Sequence, residues 1–262
     1  MITEQRKVVH KGRAFSVATH QSHASSHWLV FLHGLGCAKE SFDGVFKTEL
    51  AKKFSILTFD FVGFGDSDKP EGFDYTLEDQ AQLTLSLIAQ FNPDQVTLIG
   101  HSMGGAIGTL VAQELDNLSG FINAEGNLVA QDSGIVSRKT AKQSAAEFEA
   151  SGFDTFLKIL GESEEGSFHK WASWYAASSK SAIHRSSRSL VKWSDSGKLL
   201  EDFNRLPNKA FIHGDKTDIS HLTSSFEDVD VFSISNSGHF MMLDNPAEFY
   251  DRIERIILLA IR

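Results

Sequence analysis

The chain has 262 residues, enough for one large α/β domain with an insertion and a substantial buried core. Its formal net charge of −9 argues against nucleic acid or an anionic membrane surface as a partner, because both reward a basic face. A single cysteine, Cys37, excludes an intramolecular disulfide, the start Met1-Ile2-Thr3-Glu4-Gln5-Arg6-Lys7 lacks the apolar run of a signal peptide, and no stretch approaches the roughly twenty apolar residues of a membrane span. The expectation is a soluble, cytoplasmic protein.

In chain order, Ala14 to His20 alternates weakly, as an edge strand would, and His27-Trp28-Leu29-Val30-Phe31-Leu32 is a continuous apolar run typical of a buried strand. The second run ends in His33-Gly34-Leu35-Gly36, whose glycines allow close backbone approach, so that the N–H of Leu35 could hold a developing anion. The alternative is that His33 and the two glycines only turn the chain. Ser41 to Lys53 reads as helical. Phe54 to Asp60 is the next strand, followed by Phe61-Val62-Gly63-Phe64-Gly65-Asp66-Ser67-Asp68, a loop that Asp60 and Ser67 are placed to pin by hydrogen bonds. Thr76, with Asp79 three residues on, marks a helix start, and Leu83, Leu87 and Ile88 keep helical spacing to about Phe91 before Asn92-Pro93-Asp94 breaks it.

Val96-Thr97-Leu98-Ile99 then leads into Gly100-His101-Ser102-Met103-Gly104, with a small-residue helical pattern behind it. A G-x-S-x-G match between a strand and a helix presents the serine hydroxyl on a strained turn. Gly100 and Gly104 give strand and helix room to approach, and the N–H of Met103 points from a helix N-terminus toward developing negative charge. Ser102 is therefore the candidate nucleophile. Alternating strands and helices up to this point predict a mostly parallel sheet with helices on both faces.

Three motifs together, His33-Gly34-Leu35-Gly36, Asp60-Phe61-Val62-Gly63-Phe64-Gly65-Asp66-Ser67 and Gly100-His101-Ser102-Met103-Gly104-Gly105, resemble the α/β-hydrolase superfamily over nearly the whole chain. The resemblance implies that fold and a serine nucleophile; it does not select among esterases, lipases, lactonases, carbon–carbon bond hydrolases and cofactor-free peroxidases. An aspartate at position 102 would have resembled a dehalogenase or epoxide hydrolase.

Gly120-Phe121-Ile122-Asn123-Ala124 reads as a strand ending at Glu125. From 127 to 205 strand signals stop and the composition turns to serine, alanine and charged residues, with Trp171, Trp174, Tyr175 and Trp193 embedded. This span looks like a helical cap, with helical spacing in Ser144 to Ala150 and Phe153 to Leu160. Its aromatic residues either line an acyl pocket or fasten the cap to the sheet. Strands resume at Lys209 to Gly214 and Val229 to Ile234, and Pro246 opens a closing helix to Ile261.

The Gly238-His239 pair on the loop before that helix is where the family carries its catalytic base, so the resemblance assigns His239 that role. His101 reads as a space-filling neighbour of the nucleophile. His10, His20, His23 and His27 lack ligand partners at metal spacing, and neither a metal nor another cofactor is expected. The acid that orients His239 has two candidates. Asp218 lies in the loop after the penultimate strand, the usual place, although four residues after Gly214 where the family commonly has three. Glu125, at the tip of the strand after the nucleophile helix, is where some haloalkane-dehalogenase-like relatives keep their acid. Asp215 and Asp132 are weaker candidates. The expected reaction is acyl transfer from a small or medium carboxylic ester, a small-molecule substrate, to water. A carbon–carbon bond hydrolase or lactonase using the same residues, and a non-catalytic small-ligand-binding protein on this fold, are the alternatives.

Overall fold

The computed structural model describes residues 1–134 and 136–260. Its strands are β1 (Ile2–His10), β2 (Arg13–Ser22), β3 (His27–Leu32), β4 (Ser55–Phe59), β5 (Gln95–His101), β6 (Leu118–Ala124), β7 (Lys209–Gly214) and β8 (Asp230–Ile234), in one sheet ordered β1-β2-β4-β3-β5-β6-β7-β8. From β4 through β8 neighbours run parallel, while β1 and β2 are antiparallel additions at one side. This is the α/β-hydrolase fold. All six residues of β3 and the last six of β5 are buried, as expected of strands covered by helices on both faces.

Register positions the functional end of the sheet. Leu32 of β3 stands opposite Gly100 of β5, His101 opposite Ala124 of β6, and Ala124 opposite Ile212 of β7. The loops carrying Leu35, Ser102 and Glu125 thus leave the sheet at one level. The chain proceeds from β3 to β4 on one side and then to β5 on the other, so the crevice lies where the strand order reverses, the usual place for a ligand in an open α/β sheet.

Helix α1 (Leu77–Ala89) starts at Thr76, whose side chain accepts from the Asp79 N–H. Helix α2 (Met103–Ala112) follows β5 directly. The described residues between β6 and β7 form no strand. Short turns there lead into α3 (Phe153–Gly161), α4 (Gly166–Ala176), α5 (Lys180–Asp195) and α6 (Lys198–Arg205). A short helix α7 (Ser220–Thr223) follows β7, and α8 (Pro246–Ala260) closes the chain, with Phe249, Ile253 and Ile257 buried; Ile261, included in the sequence-based span, lies outside the described residues.

Three elements differ from the sequence-based expectation. The strand expected at the edge, β2, is covered by β1, which pairs from Ile2↔Gln21 to His10↔Arg13 through a turn at Lys11 and Gly12, both with positive φ. Only Val8 of β1 is buried, so backbone pairing forms this strand and leaves no apolar alternation to read. Ser41 to Lys53 forms 3₁₀ turns over Lys39–Lys47 and a four-residue helix, Leu50–Lys53, not one α-helix. Within Ser144 to Ala150, regular helix spans Ala145–Glu147 before a π-turn over Phe148–Gly152.

The loop after β4 is held by charge. Asp60 accepts from the Lys39 N–H (2.7 Å), the Lys39 ammonium (2.9 Å) and the Asp66 N–H (2.8 Å), while Ser67 Oγ donates to the Asp60 carbonyl (2.6 Å). Lys39 is 2% exposed and also bonds Asp66 Oδ2 at 2.8 Å, so the buried cation is shared by carboxylates. Asp60 and Ser67 pin the loop as anticipated; Lys39 was not foreseen.

The tightest approach is at the end of β5. A Cβ on Gly104 would stand 2.1 Å from the Leu32 carbonyl oxygen, and one on Gly100 would stand 2.6 Å from that of Gly104. Both obstacles are backbone atoms, which cannot rotate away. Gly104→Ala is expected to destabilise the fold by more than about 2 kcal/mol through overpacking, read as a lower denaturation midpoint in urea.

Candidate active site

β5 ends in the turn that presents Ser102, whose backbone sits at φ 53° and ψ −121°, conformational space that a non-glycine residue rarely occupies. Hydrogen bonds on both sides maintain it. Ser102 N–H donates to the Ala124 carbonyl (3.2 Å), and its own carbonyl accepts from Gly105 (2.9 Å) and Asn127 (3.3 Å). Met103 opens α2, so its N–H is among those a helix leaves unpaired. Leu35 N–H has no backbone acceptor among the described residues, while its carbonyl accepts from the Trp171 indole at 3.0 Å. The helical span between β6 and β7 therefore reaches the loop after β3 by a buried hydrogen bond.

His239 comes from the loop between β8 and α8. Asp215 accepts from the N–H groups of Asn236 (2.9 Å) and Ser237 (3.1 Å), and Asp244 from that of Gly238 (3.0 Å). His101 Nε2–H donates to the His239 carbonyl (2.9 Å), and the two rings lie 4.5 Å apart. Burial lowers the pKa of His101 to about 3, with the neighbouring His239 adding to the shift, so the His101 ring is neutral. His33 is likewise lowered to about 4 by burial; its Nδ1–H donates to the Gly34 carbonyl and its Nε2 accepts from the Phe61 N–H.

The His239 Nδ1 lies 2.7 Å from Glu125 Oε2, and Glu125 Oε1 accepts from the Gly214 N–H at 2.8 Å. Glu125 is buried and has φ 46°, a second strained non-glycine backbone beside Ser102. Burial pushes its carboxyl pKa up, but the His239 hydrogen bond and charge, the Gly214 N–H and the Thr217 hydroxyl outweigh this and hold it at about 2.

Asp218, the expected partner of His239, does not make that contact. Thr217 N–H returns to the Gly214 carbonyl (3.1 Å), closing a turn, and the chain carries Asp218 onward, where its exposed carboxylate caps the Ser220 N–H (2.9 Å) at the start of α7. Asp215 is occupied by the His239 loop. Asp132 accepts from the Leu128 and Val129 N–H groups (2.8 and 2.9 Å) and lies 2.7 Å from His221 Nε2.

Ser102, His239 and Glu125 all line one cavity of about 620 Å³, with Gly34 and Leu35 at its edge. Ser102 Oγ makes no hydrogen bond to the His239 ring. Of the four aromatic residues singled out between β6 and β7, Trp171 lines the cavity, while Tyr175 is buried against Phe153 at 4.7 Å. Trp174 and Trp193 pack against the core. The Trp171 and His101 hydrogen bonds were missed because each partner is a main-chain carbonyl more than 130 residues away. Among the described residues no group of three or more His, Cys, Asp or Glu side chains is placed to hold a metal, and no helix is long and apolar enough to cross a membrane.

The sequence pattern of the Alpha/beta hydrolase family matches residues 29–252. The chain belongs to that family. Of its curated relatives, a Mycoplasma pneumoniae protein with the provisional name esterase/lipase 2 is 36% identical over 96 residues, 37% of this chain and 36% of that protein. This α/β-hydrolase thus spans only about a third of that relative's length. An uncharacterized protein of Mycobacterium tuberculosis is 25% identical over 299 aligned positions, covering 97% of this chain and 81% of that one. Among solved structures, N-acyl homoserine lactonase AidH complexed with N-butanoyl homoserine superimposes with a TM-score of 0.79 at 17% identity, covering 99% and 97% of the two chains. A thermophilic esterase from Thermogutta terrifontis gives 0.77 at 15% identity, covering 98% and 99%. At such identities the structural likeness concerns the hydrolase fold.

A lowered carboxyl pKa makes a stabilising contribution that is complete above the ordinary value near 4.5 and is lost as pH falls toward about 2. The stability difference between the parent protein and Glu125→Gln is therefore expected to shrink as pH falls from 4.5 to 2. Urea titrations at stepped pH measure it, and the buried neutral histidines, common to both proteins, cancel in the difference.

Proposed function

We propose that this α/β-hydrolase is a serine hydrolase that cleaves small or medium carboxylic esters through an acyl-enzyme on Ser102. The observation that carries the reading is the His239–Glu125 contact of 2.7 Å in the cavity that Ser102 also lines. With Nδ1–H donated to Glu125, the imidazole keeps its Nε2 lone pair for the serine proton. Serine–base contacts are often loose in free enzymes and tighten when substrate binds.

In the proposed sequence, Nε2 takes the Ser102 proton as Oγ bonds to the carbonyl carbon, and the Leu35 and Met103 N–H groups hold the resulting oxyanion. The imidazolium returns its proton to the departing alkoxide as the carbon–oxygen bond breaks. A water, deprotonated by the same nitrogen, then releases the acid and restores Ser102. Glu125 stays ionised throughout, its low pKa matching the task of stabilising an imidazolium. The helical span 127–205 acts as a cap, supported by its helices and by the Trp171 bond to the Leu35 carbonyl. A lactone is a cyclic ester and would follow the same route.

A fluorophosphonate probe is expected to label the protein, and Ser102→Ala to abolish both labelling and turnover. Glu125→Gln should lower kcat by a factor on the order of 10³ to 10⁴, because an amide stabilises the wrong tautomer, whereas Asp218→Asn should cost under about tenfold. Activity on p-nitrophenyl esters, lactones and ring-cleavage diketones ranks the ester reading against carbon–carbon bond hydrolysis. Absence of labelling together with absence of turnover would favour a ligand-binding protein.

A further inference from the structure

The cavity beside Ser102 has two chemically distinct walls. One is apolar and built by two helices: Phe156, Ile159 and Leu160 of α3 and Phe168 and Trp171 of α4, with Trp171 5.4 Å from Phe156 and 5.8 Å from Phe168. The other is polar and brings together the turn after β6, which supplies Asp132, and the segment after β7, which supplies Lys216, Asp218 and His221. Its centre is the Asp132–His221 contact of 2.7 Å, a second carboxylate–imidazole pair in the same cavity as His239–Glu125.

Hydrogen bonding dictates what this pair can offer. Asp132 Oδ2 already accepts from two backbone N–H groups, and Oδ1 accepts from His221 Nε2. Since a carboxylate only accepts, His221 donates its Nε2–H to Asp132, and in the neutral form of the ring this leaves Nδ1 as a lone-pair acceptor, without a protein partner among the described residues. His221 retains 30% of its side-chain exposure while lining the cavity. Asp218 adds acceptor oxygen, and two carboxylates against the single Lys216 ammonium disfavour an anionic occupant. The wall therefore suits a neutral group that donates a hydrogen bond.

We propose that Asp132 and His221 form a polar subsite that selects esters carrying a hydrogen-bond donor, a hydroxyl or an amide N–H, away from the scissile bond, with the hydrocarbon part on the aromatic wall. The inference deepens the ester-hydrolase reading and rests on it for the scissile bond alone. Asp132 fixes the His221 tautomer, and Nδ1 accepts from the substrate.

Calorimetry on Ser102→Ala separates binding from turnover. Two matched pairs are compared: methyl hexanoate with methyl 3-hydroxyhexanoate, and ethyl hexanoate with 2-hydroxyethyl hexanoate. In at least one pair the hydroxylated ester is expected to bind about tenfold tighter, the size of one well-placed hydrogen bond. Adding His221→Phe should bring that ratio to about one, and His221→Gln, which keeps an acceptor, should restore part of it. His221→Leu replaces the Phe variant if the latter fails to fold. A purely structural link between the two segments would weaken both members of a pair alike and leave the ratio intact. Ratios near one in Ser102→Ala, or a preference that survives removal of the imidazole, overturn the subsite. Fluorophosphonate labelling of the unmodified protein reports separately on the serine chemistry, so the two failures are distinguishable.

Discussion

The structure depends on how closely β5 and α2 can approach at the bend that carries Ser102. Neither Gly100 nor Gly104 has room for a side chain, and Ser102, midway between them, is held at φ 53°. Such a conformation costs of order 1–3 kcal/mol and persists only where the surroundings over-determine it. Here the surroundings are the parallel register of β3, β5 and β6 and the bonds joining Ser102 to Ala124, Gly105 and Asn127. The same register places Glu125 one residue beyond the end of β6, in a second strained conformation. Both strained residues belong to the edge where the strands stop.

Charge is managed differently on the two sides of that edge. At the loop after β4, Lys39 and Asp60 are buried together and hold the chain by ion pairing. Beside Ser102, His33 and His101 are buried neutral, and the lowered carboxyl pKa of Glu125 reflects its pairing with His239 together with the Gly214 N–H and the Thr217 hydroxyl. His101 fills space, as its position suggests, and it also fixes the main chain of His239.

Much of this was legible in the sequence. Central strands announce themselves because burial on both faces leaves unbroken apolar runs, and the bend at Ser102 announces itself because only glycine fits on either side. Strand β1 was hidden because its pairing is made by backbone and its side chains are mostly in water. The choice between Asp218 and Glu125 as partner of His239 was hidden for another reason. Both follow strand ends at the same sheet edge, and the difference lies in a turn at Gly214–Thr217 and a positive φ at Glu125, neither of which has a residue-type signature. The long-range bonds of Trp171 and His101 go to main-chain oxygens, which carry no mark in the sequence at all.

The carboxylate paired with His239 comes from the end of β6, while in the segment after β7 Asp215 pins the His239 loop, the Thr217 hydroxyl supports Glu125, and Asp218 caps a short helix. Within the second segment, Asp218 and His221 make no bond to His239 or Glu125. Exchanges at those two positions would alter the cavity wall while the Glu125–His239 pair kept its alignment, so descendants of this scaffold could vary the one without first rebuilding the other.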